Sequence, residues 1–122
     1  MTVEGCKLVG VSFAKVNPFL LEWFFSACKF EMCSFEGLKM KGSRFIGCAV
    51  READFTRADL TESDFSGSDL YASRFQHTIL EKADFTKASR YSINPTVNRV
   101  RNAKFAYPGA LSLLAPFEVK VE

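Results

Sequence analysis

The chain has 122 residues, of which 48% are hydrophobic and 25% charged, a composition typical of one globular domain that excludes a disordered or collagen-like chain. The net charge of +2 is too small to predict direct binding to nucleic acid or to a membrane surface. The longest apolar run is far shorter than the ~20 residues that a membrane span requires.

The N-terminal residues carry no secretion signal, because Met1 to Gly10 lacks a basic segment followed by an apolar run. We therefore expect a cytoplasmic protein whose cysteines are thiols. Val3, Leu8 and Phe13 lie five residues apart and give the first sign of a five-residue period. Because this register begins without a capping element, we expect the exposed end to continue into a longer repeat array or to be covered by another molecule.

The register breaks at about residues 14–24. Phe13 and Phe25 are twelve residues apart rather than ten, so the segment contains two extra residues. It includes three apolar residues, Phe19, Leu20 and Leu21, after a turn at Pro18. Two alternatives stay open: a bulge folded over the edge of the repeat, or a protruding apolar loop that binds a partner protein.

From Phe25 to Phe85 every fifth residue is apolar, and eleven of these thirteen residues are Phe or Leu. A second series, from Trp23 to Ala83, runs two residues earlier, and eleven of its thirteen residues are Ala, Ser, Thr or Cys. A spacing of two places both series on the same face of an extended segment. We therefore expect the large residues to fill the interior and the small residues to lie against the wall.

Between the small and the large residues the sequence repeatedly places an aspartate that points outward. These aspartates are candidate partner-binding residues: Asp54, Asp59, Asp64, Asp69 and Asp84. A typical unit is Ala58-Asp59-Leu60-Thr61-Glu62.

This pattern resembles the pentapeptide-repeat family, whose tandem motif is Ala-(Asp/Asn)-(Leu/Phe)-x-x. The resemblance covers roughly residues 23–88 and implies an all-β fold, a right-handed quadrilateral β-helix with four repeats, or twenty residues, in each coil. Family members include Qnr-type quinolone-resistance proteins and related gyrase-binding proteins. We predict that residues 1–106 form this β-helix and residues 107–122 a C-terminal cap.

A twenty-residue coil stacks residues i and i+20 in columns. One column is Phe25, Phe45, Phe65, Phe85 and Phe105, whereas the column of Phe30, Val50 and Leu70 ends at Arg90 and that of Phe35, Phe55 and Phe75 ends at Pro95. Cys28, Cys33 and Cys48 belong to the small series and are expected to be small buried side chains. A Cys28–Cys48 disulfide would require a suitable geometry and an oxidising compartment.

The C-terminal cap is predicted to contain a short apolar helix over residues 110–115, ended by Pro116, and a strand over residues 117–122. The helix suggests a homodimer interface through Leu111, Leu113, Leu114 and Phe117. A monomeric cap is the alternative.

Three classes of function remain to be compared. A protein-interaction scaffold is the first, and a DNA-mimicking protein that binds DNA gyrase and confers quinolone resistance is the alternative. Residues 51–86 carry a net charge of −4, which suits a DNA mimic, but residues 87–122 carry +4, which does not.

An enzyme is disfavoured, and no catalytic residue, cofactor or metal site is predicted. His77 is the only histidine and has no second catalytic group at a related spacing. The glycines at 37, 42 and 47 follow the five-residue period and are expected at corners rather than in a phosphate loop.

Overall fold

The computed structural model describes residues 2–13 and 23–120. They contain six strands of three residues each and one 3₁₀ helix. These elements are β1 (Thr2–Glu4), β2 (Lys7–Val9), β3 (Phe24–Ser26), β4 (Lys29–Glu31), β5 (Arg44–Ile46), β6 (Ala49–Arg51) and the C-terminal helix (Gly109–Phe117).

The strands form two parallel sheets, in the orders β1-β3-β5 and β2-β4-β6. Phe24 pairs with Arg44, and single parallel bridges extend this column to Asp64, Asp84 and Lys104. Each step from β3 onward is twenty residues, so the chain completes one coil every twenty residues. The predicted β-helix is therefore confirmed.

The first coil is longer than the others. Val3 pairs with Phe25 and Leu8 with Phe30, so the step between these coils is twenty-two residues. The two extra residues expected from the sequence are thus present, and they lie between Phe13 and Trp23. The apolar segment Phe19, Leu20 and Leu21 falls outside the described residues.

The interior consists of phenylalanine columns that run along the axis. Phe25, Phe45, Phe65, Phe85 and Phe105 stack with ring centroids 4.9–5.2 Å apart. A second stack contains Phe13, Phe35, Phe55 and Phe75 at 4.6–5.1 Å. Rings of the two stacks meet edge to face, for example Phe55 and Phe65 at 6.1 Å. Such geometry is favourable for aromatic pairs, and it leaves Phe65 fully buried.

The small residues also carry hydrogen bonds between coils. The Ser68 hydroxyl donates to the Phe45 carbonyl and accepts from the Cys48 N–H at 3.0 Å. Ser73 makes the equivalent bonds to Val50 and Ala53 one repeat later. These hydroxyls therefore pair backbone groups that would otherwise be buried without partners.

Asn98 continues this series with a larger side chain. Its amide oxygen accepts from the Thr78 N–H, and its amide nitrogen donates to the carbonyls of Phe75 and Asn94, each at 2.9 Å. Asn98 is 9% exposed, so three of the four hydrogen bonds available to a buried amide are made inside the protein.

The last coil departs from the expected register. The period places left-handed corners at Lys87, Ser92 and Val97, but none of these has a positive φ, and Arg90 adopts one instead, at 52°. In this altered turn Arg90 is exposed, and Tyr91 and Ile93 are buried instead. Pro95 is only half-buried. The prediction that the interior columns end at Arg90 and Pro95 is therefore wrong.

The C-terminal cap differs from prediction in two respects. The helix is a 3₁₀ helix that includes Pro116 and ends after Phe117, where Glu118 adopts a left-handed φ of 53°. Pro116 is tolerated because it costs at most one hydrogen bond in the last turn. In its described part, residues 117–120, the strand expected over 117–122 is absent: Phe117 ends the helix, and Val119 and Lys120 are exposed and belong to no strand.

Candidate interaction surfaces

The outward aspartates stabilise their own turns. Asp54 Oδ1 accepts hydrogen bonds from the Thr56 N–H at 3.0 Å and from the Thr56 hydroxyl at 2.5 Å. Asp59, Asp64 and Asp84 make the same pair of bonds to the Thr or Ser two residues later. Such Asx turns are a local reason for aspartate at this position. One carboxylate oxygen of each of these aspartates is therefore already engaged.

The structure does not bring the five aspartates together on one face. Parallel bridges place Asp54 between Ser34 and Arg74, and Asp59 between Lys39 and Ile79. A third face carries Arg44, Asp64, Asp84 and Lys104 in succession, whereas Asp69 lies on the remaining face beside Ala49 and Ser89. Only Asp64 and Asp84 are neighbours, and basic residues flank them on both sides.

Asp69 is the centre of a small charged cluster. Arg90 binds it with two nitrogens, Nε at 2.9 Å from Oδ1 and Nη2 on Oδ2, and Arg51 lies 4.0 Å away. The Arg90 hydrogen bond lowers the pKa of the Asp69 carboxyl below its usual value. The guanidinium also lies over the Tyr71 ring, 4.9 Å from its centroid. Because sequence analysis placed Arg90 at the end of an interior column, it missed this cluster.

The repeat pattern and the coil geometry agree with a comparison against known families. A sequence model described as "Pentapeptide repeat region" matches residues 6–85, more than half of the chain. The chain belongs to the pentapeptide-repeat family. The family and its structural relatives are generally non-enzymatic repeat proteins. A comparison with curated protein sequences gave no match.

Solved pentapeptide-repeat structures share this fold. One is a protein from the Arabidopsis thaliana thylakoid lumen, with 24% identity and a TM-score of 0.60 over 84% of this chain and 59% of that one. Another is HetL from the cyanobacterium Nostoc, described as involved in heterocyst differentiation regulation, with 12% identity and a TM-score of 0.60 over 86% of this chain and 45% of that one. This chain thus spans about half the length of both proteins.

QnrB1, a plasmid-mediated fluoroquinolone resistance protein, was also matched, with 12% identity and a TM-score of 0.38 over 100% of this chain and 92% of that one. At that TM-score the match says nothing about what this pentapeptide-repeat chain binds.

The C-terminal helix of this pentapeptide-repeat chain exposes three of the four predicted interface residues. Leu111 and Leu114 are each 37% exposed and Phe117 is 52% exposed, whereas Leu113 packs against the core. Tyr107 and Val119, on either side of the helix, are exposed as well. We call Tyr107, Leu111, Leu114, Phe117 and Val119 the C-terminal patch.

A second group of exposed apolar residues was not found from the sequence. Met32 and Tyr71 are 59% and 50% exposed, at a corner that the sheet β2-β4-β6 reaches. Outward positions carry no fixed residue type in the repeat, so periodicity gives no signal there. Their proximity becomes visible only once the coils are stacked.

The cysteines and the histidine form no reactive centre in the part of the chain that is described. Cys28, Cys33 and Cys48 are buried free thiols, and Cys6 is exposed. Burial raises the pKa of Cys48 to about 11, so its thiol is protonated at neutral pH. His77 is exposed at a corner, and within residues 2–13 and 23–120 no group of three or more His, Cys, Asp or Glu could hold a metal ion.

Among the described residues, no helix has the length and apolar character to cross a bilayer.

Proposed function

We propose that the chain is a non-enzymatic protein-interaction scaffold, a β-helix that displays side chains to partner proteins. The observation that carries this proposal is the distribution of exposed apolar side chains. Among residues 2–13 and 23–120, five of the nine large ones form the C-terminal patch, and Met32 and Tyr71 line one cavity at a corner of the solenoid. Exposed apolar groups that cluster in this way are typical of protein interfaces.

The non-enzymatic part of the proposal is supported by the way the interior is filled. The large side chains along the axis are almost fully buried, from Phe25 to Phe85. Catalysis generally needs several polar groups that converge in a concave site. Here the aspartate carboxylates are spread over four faces and most are hydrogen-bonded within their own turns.

We also propose that the C-terminal patch makes a homodimer. Leu111, Leu114 and Phe117 are exposed on one short helix, and Leu113 holds that helix against the last coil. A two-fold axis would bring the same side chains from both copies together and remove them from water. The net charge of +4 on residues 87–122 opposes this contact, but salt screens repulsion between exposed charges.

The alternative is a DNA mimic that binds DNA gyrase and confers quinolone resistance. The net charge of −4 on residues 51–86 favours it. A DNA mimic needs a continuous acidic surface in place of phosphates, whereas the faces here alternate in sign, as in the columns Asp54–Arg74 and Asp84–Lys104. The interaction scaffold therefore accounts for more of the surface.

One experiment compares the two functions. The purified protein is added to DNA gyrase in a supercoiling assay, with and without a quinolone. A scaffold for other proteins leaves both supercoiling and quinolone sensitivity unchanged, whereas inhibition or protection at micromolar concentration would favour the DNA mimic.

A second experiment tests the scaffold directly. Tagged wild type and folded surface variants are incubated with extract of the source cells, and bound proteins are quantified by mass spectrometry. We expect a protein other than a second copy of this chain that the wild type retains, that Leu114→Glu or Met32→Glu loses, and that the control Glu62→Gln still retains. A set of bound proteins that is the same for all variants contradicts the scaffold.

A further inference from the structure

A corner of the solenoid combines exposed apolar groups with unpaired negative charge. Glu31 pairs in register with Val9 on one side and Arg51 on the other, and Tyr71 follows in the next coil, where its carbonyl accepts from the Glu52 N–H at 2.9 Å. Val9 is 51% exposed, so the column has an exposed apolar side chain at each end and two charged side chains between them. We call Glu31, Met32, Arg51, Glu52 and Tyr71 the Met32–Tyr71 corner.

The same five residues line a shallow cavity of about 240 Å³. Met32 and Tyr71 are two coils apart, which corresponds to about 10 Å along the axis at the usual strand spacing. Pockets for drug-sized molecules generally occupy about 300–1,000 Å³. The cavity is therefore suited to a single side chain rather than to a whole metabolite.

The two arginines near this cavity, Arg51 and Arg90, both form ion pairs with Asp69. Arg90 binds Asp69 with two nitrogens and lies over the Tyr71 ring, and Arg51 is 4.0 Å from the same carboxylate. No ion pair involves Glu31 or Glu52 among residues 2–13 and 23–120. The unpaired charge at the corner is consequently negative.

Arg90 also restricts the tyrosine. Its guanidinium lies 4.9 Å from the Tyr71 centroid and is itself held by Asp69, so the ring is supported from one side. A supported aromatic ring loses little conformational freedom when a partner side chain packs against it. The cavity is thus largely formed before a partner binds.

We propose that the Met32–Tyr71 corner binds a lysine side chain presented by a partner protein, which rests on the proposed scaffold function. The four-carbon stem packs against Met32 and Tyr71, and the ammonium group lies beside Glu31 and Glu52. A long amphipathic side chain with its charge at the tip matches a site with apolar walls and carboxylates at its edge. An acidic or wholly apolar side chain lacks one of these matches.

The test uses the full chain with its methionine methyl groups labelled with ¹³C. The probe is the peptide acetyl-Gly-Leu-Lys-Leu-Gly-amide, and two control peptides carry norleucine or glutamate in place of lysine. We expect the Met32 methyl resonance to shift saturably with the lysine peptide, with a Kd of order 1 mM, while the buried Met40 methyl does not move. The norleucine peptide should bind about fivefold more weakly.

Substitutions at the Met32–Tyr71 corner test whether its carboxylates are responsible for binding the lysine peptide. Glu31→Gln combined with Glu52→Gln should weaken the lysine peptide about fivefold without affecting the norleucine peptide. Glu62→Gln is the matched control, because Glu62 also occupies a left-handed corner position but pairs with Lys41 at 3.7 Å. Equal binding of the lysine and norleucine peptides, or no effect of the double variant, overturns the proposal.

The peptide result is independent of the scaffold as a whole. If the lysine peptide fails while Leu114→Glu still loses a specific protein from cell extract, the scaffold function stands and the Met32–Tyr71 corner is not its lysine site. If neither Leu114→Glu nor Met32→Glu loses any protein from cell extract, the scaffold function is contradicted whatever the peptide does.

Discussion

Single small residues decide how the backbone of one coil is joined to the next. Ser68 both donates to Phe45 and accepts from Cys48, whereas Ser63, one repeat earlier, is equally buried but its hydroxyl has no partner among the described residues. Two serines in the same series therefore differ in what their hydroxyls contribute. A sequence pattern that requires only a small residue does not separate them.

The first prediction uses this difference. Ser68→Ala should lower the free energy of unfolding by about 1–3 kcal/mol, because the Cys48 N–H would remain buried without an acceptor. Ser63→Ala removes a hydroxyl that has no described partner, so stability should stay the same or rise by about 1 kcal/mol. Denaturant unfolding followed by circular dichroism measures both. Equal losses for the two variants would contradict the hydrogen-bonding role.

The second prediction concerns the thiols. In the native protein a thiol reagent at neutral pH should modify Cys6, and Cys28, Cys33 and Cys48 should react only after unfolding. Burial both shields Cys48 and raises its pKa to about 11, which leaves very little thiolate. Counting modified thiols by mass spectrometry before and after denaturant tests this. Recovery of two thiols instead of four after unfolding under non-reducing conditions would reveal a disulfide.

At the scale of the structural element, specific contacts hold both the turns and the C-terminal cap in place. Asp84 accepts hydrogen bonds from the N–H and the hydroxyl of Thr86, and the first of these makes the largest contribution to a lowered pKa. The cap packs so closely that a Cβ added at Gly109 would lie 2.7 Å from the Tyr91 hydroxyl oxygen. Both contacts can be tested by replacing one group at a time.

The third prediction is a pH dependence. Because folding lowers the pKa of Asp84, its carboxylate stabilises the folded state above the unfolded pKa of about 3.9, and this contribution is lost as pH falls through the lower folded value. Asp84→Asn keeps an acceptor oxygen that does not titrate in this range. The stability difference between wild type and variant should therefore shrink below about pH 4. Parallel stability curves from pH 7 to pH 2 would show that Asp84 does not contribute.

The fourth prediction tests the cap with a double-mutant cycle. Gly109→Ala should destabilise the protein, because the new methyl group meets the hydroxyl of a buried tyrosine. Tyr91→Phe removes that hydroxyl, after which the nearest ring carbon lies at 3.4 Å, an ordinary contact distance. The double variant should thus be more stable than Gly109→Ala alone by thermal unfolding. Additive effects would indicate that the two residues do not touch.

The sequence predicted those features that the period controls. Phe25 to Phe85 obey it without exception, so the interior, the corners at Gly37, Gly42 and Gly47, and the two extra residues before Trp23 all followed from spacing. Tyr91 is buried in place of Arg90 because the last coil lacks the left-handed corners expected at residues 87, 92 and 97, and the regular twenty-residue step to Arg99 and Lys104 conceals this from the sequence. The Met32–Tyr71 corner depends on residues 39 apart at positions the repeat leaves free.

For the whole molecule, the proposed homodimer through the C-terminal patch makes a prediction about the state of assembly. Leu111, Leu114 and Phe117 are exposed on a helix whose Leu113 packs against the core, so in the proposed dimer a second copy extends the solenoid end to end. A stable interface typically buries about 800 Å² on each partner. Electrostatic repulsion between the two basic C-terminal segments is weakened as salt concentration rises.

The fifth prediction follows from this assembly. Light scattering at micromolar concentration should give twice the 13.7 kDa of the single chain, most clearly at moderate ionic strength. Leu114→Glu should give the single-chain mass, because it places two carboxylates in the interface. Met32→Glu, an equally polar change on the side of the solenoid, should leave the dimer intact. A wild type that remains at 13.7 kDa contradicts the dimer.

Because four five-residue repeats complete one coil, the length of an insertion or deletion determines how far the downstream part of the solenoid rotates about its axis. Removing one five-residue repeat between Met32 and Tyr71 would rotate everything downstream by a quarter turn, so Tyr71 would move to the adjacent face while the phenylalanine interior remained filled. Removing twenty residues would instead restore the original orientation in a shorter rod. Changes in repeat number can therefore alter which side chains share a corner without any substitution. Only insertions or deletions of a multiple of four repeats leave the remaining side chains on their original faces.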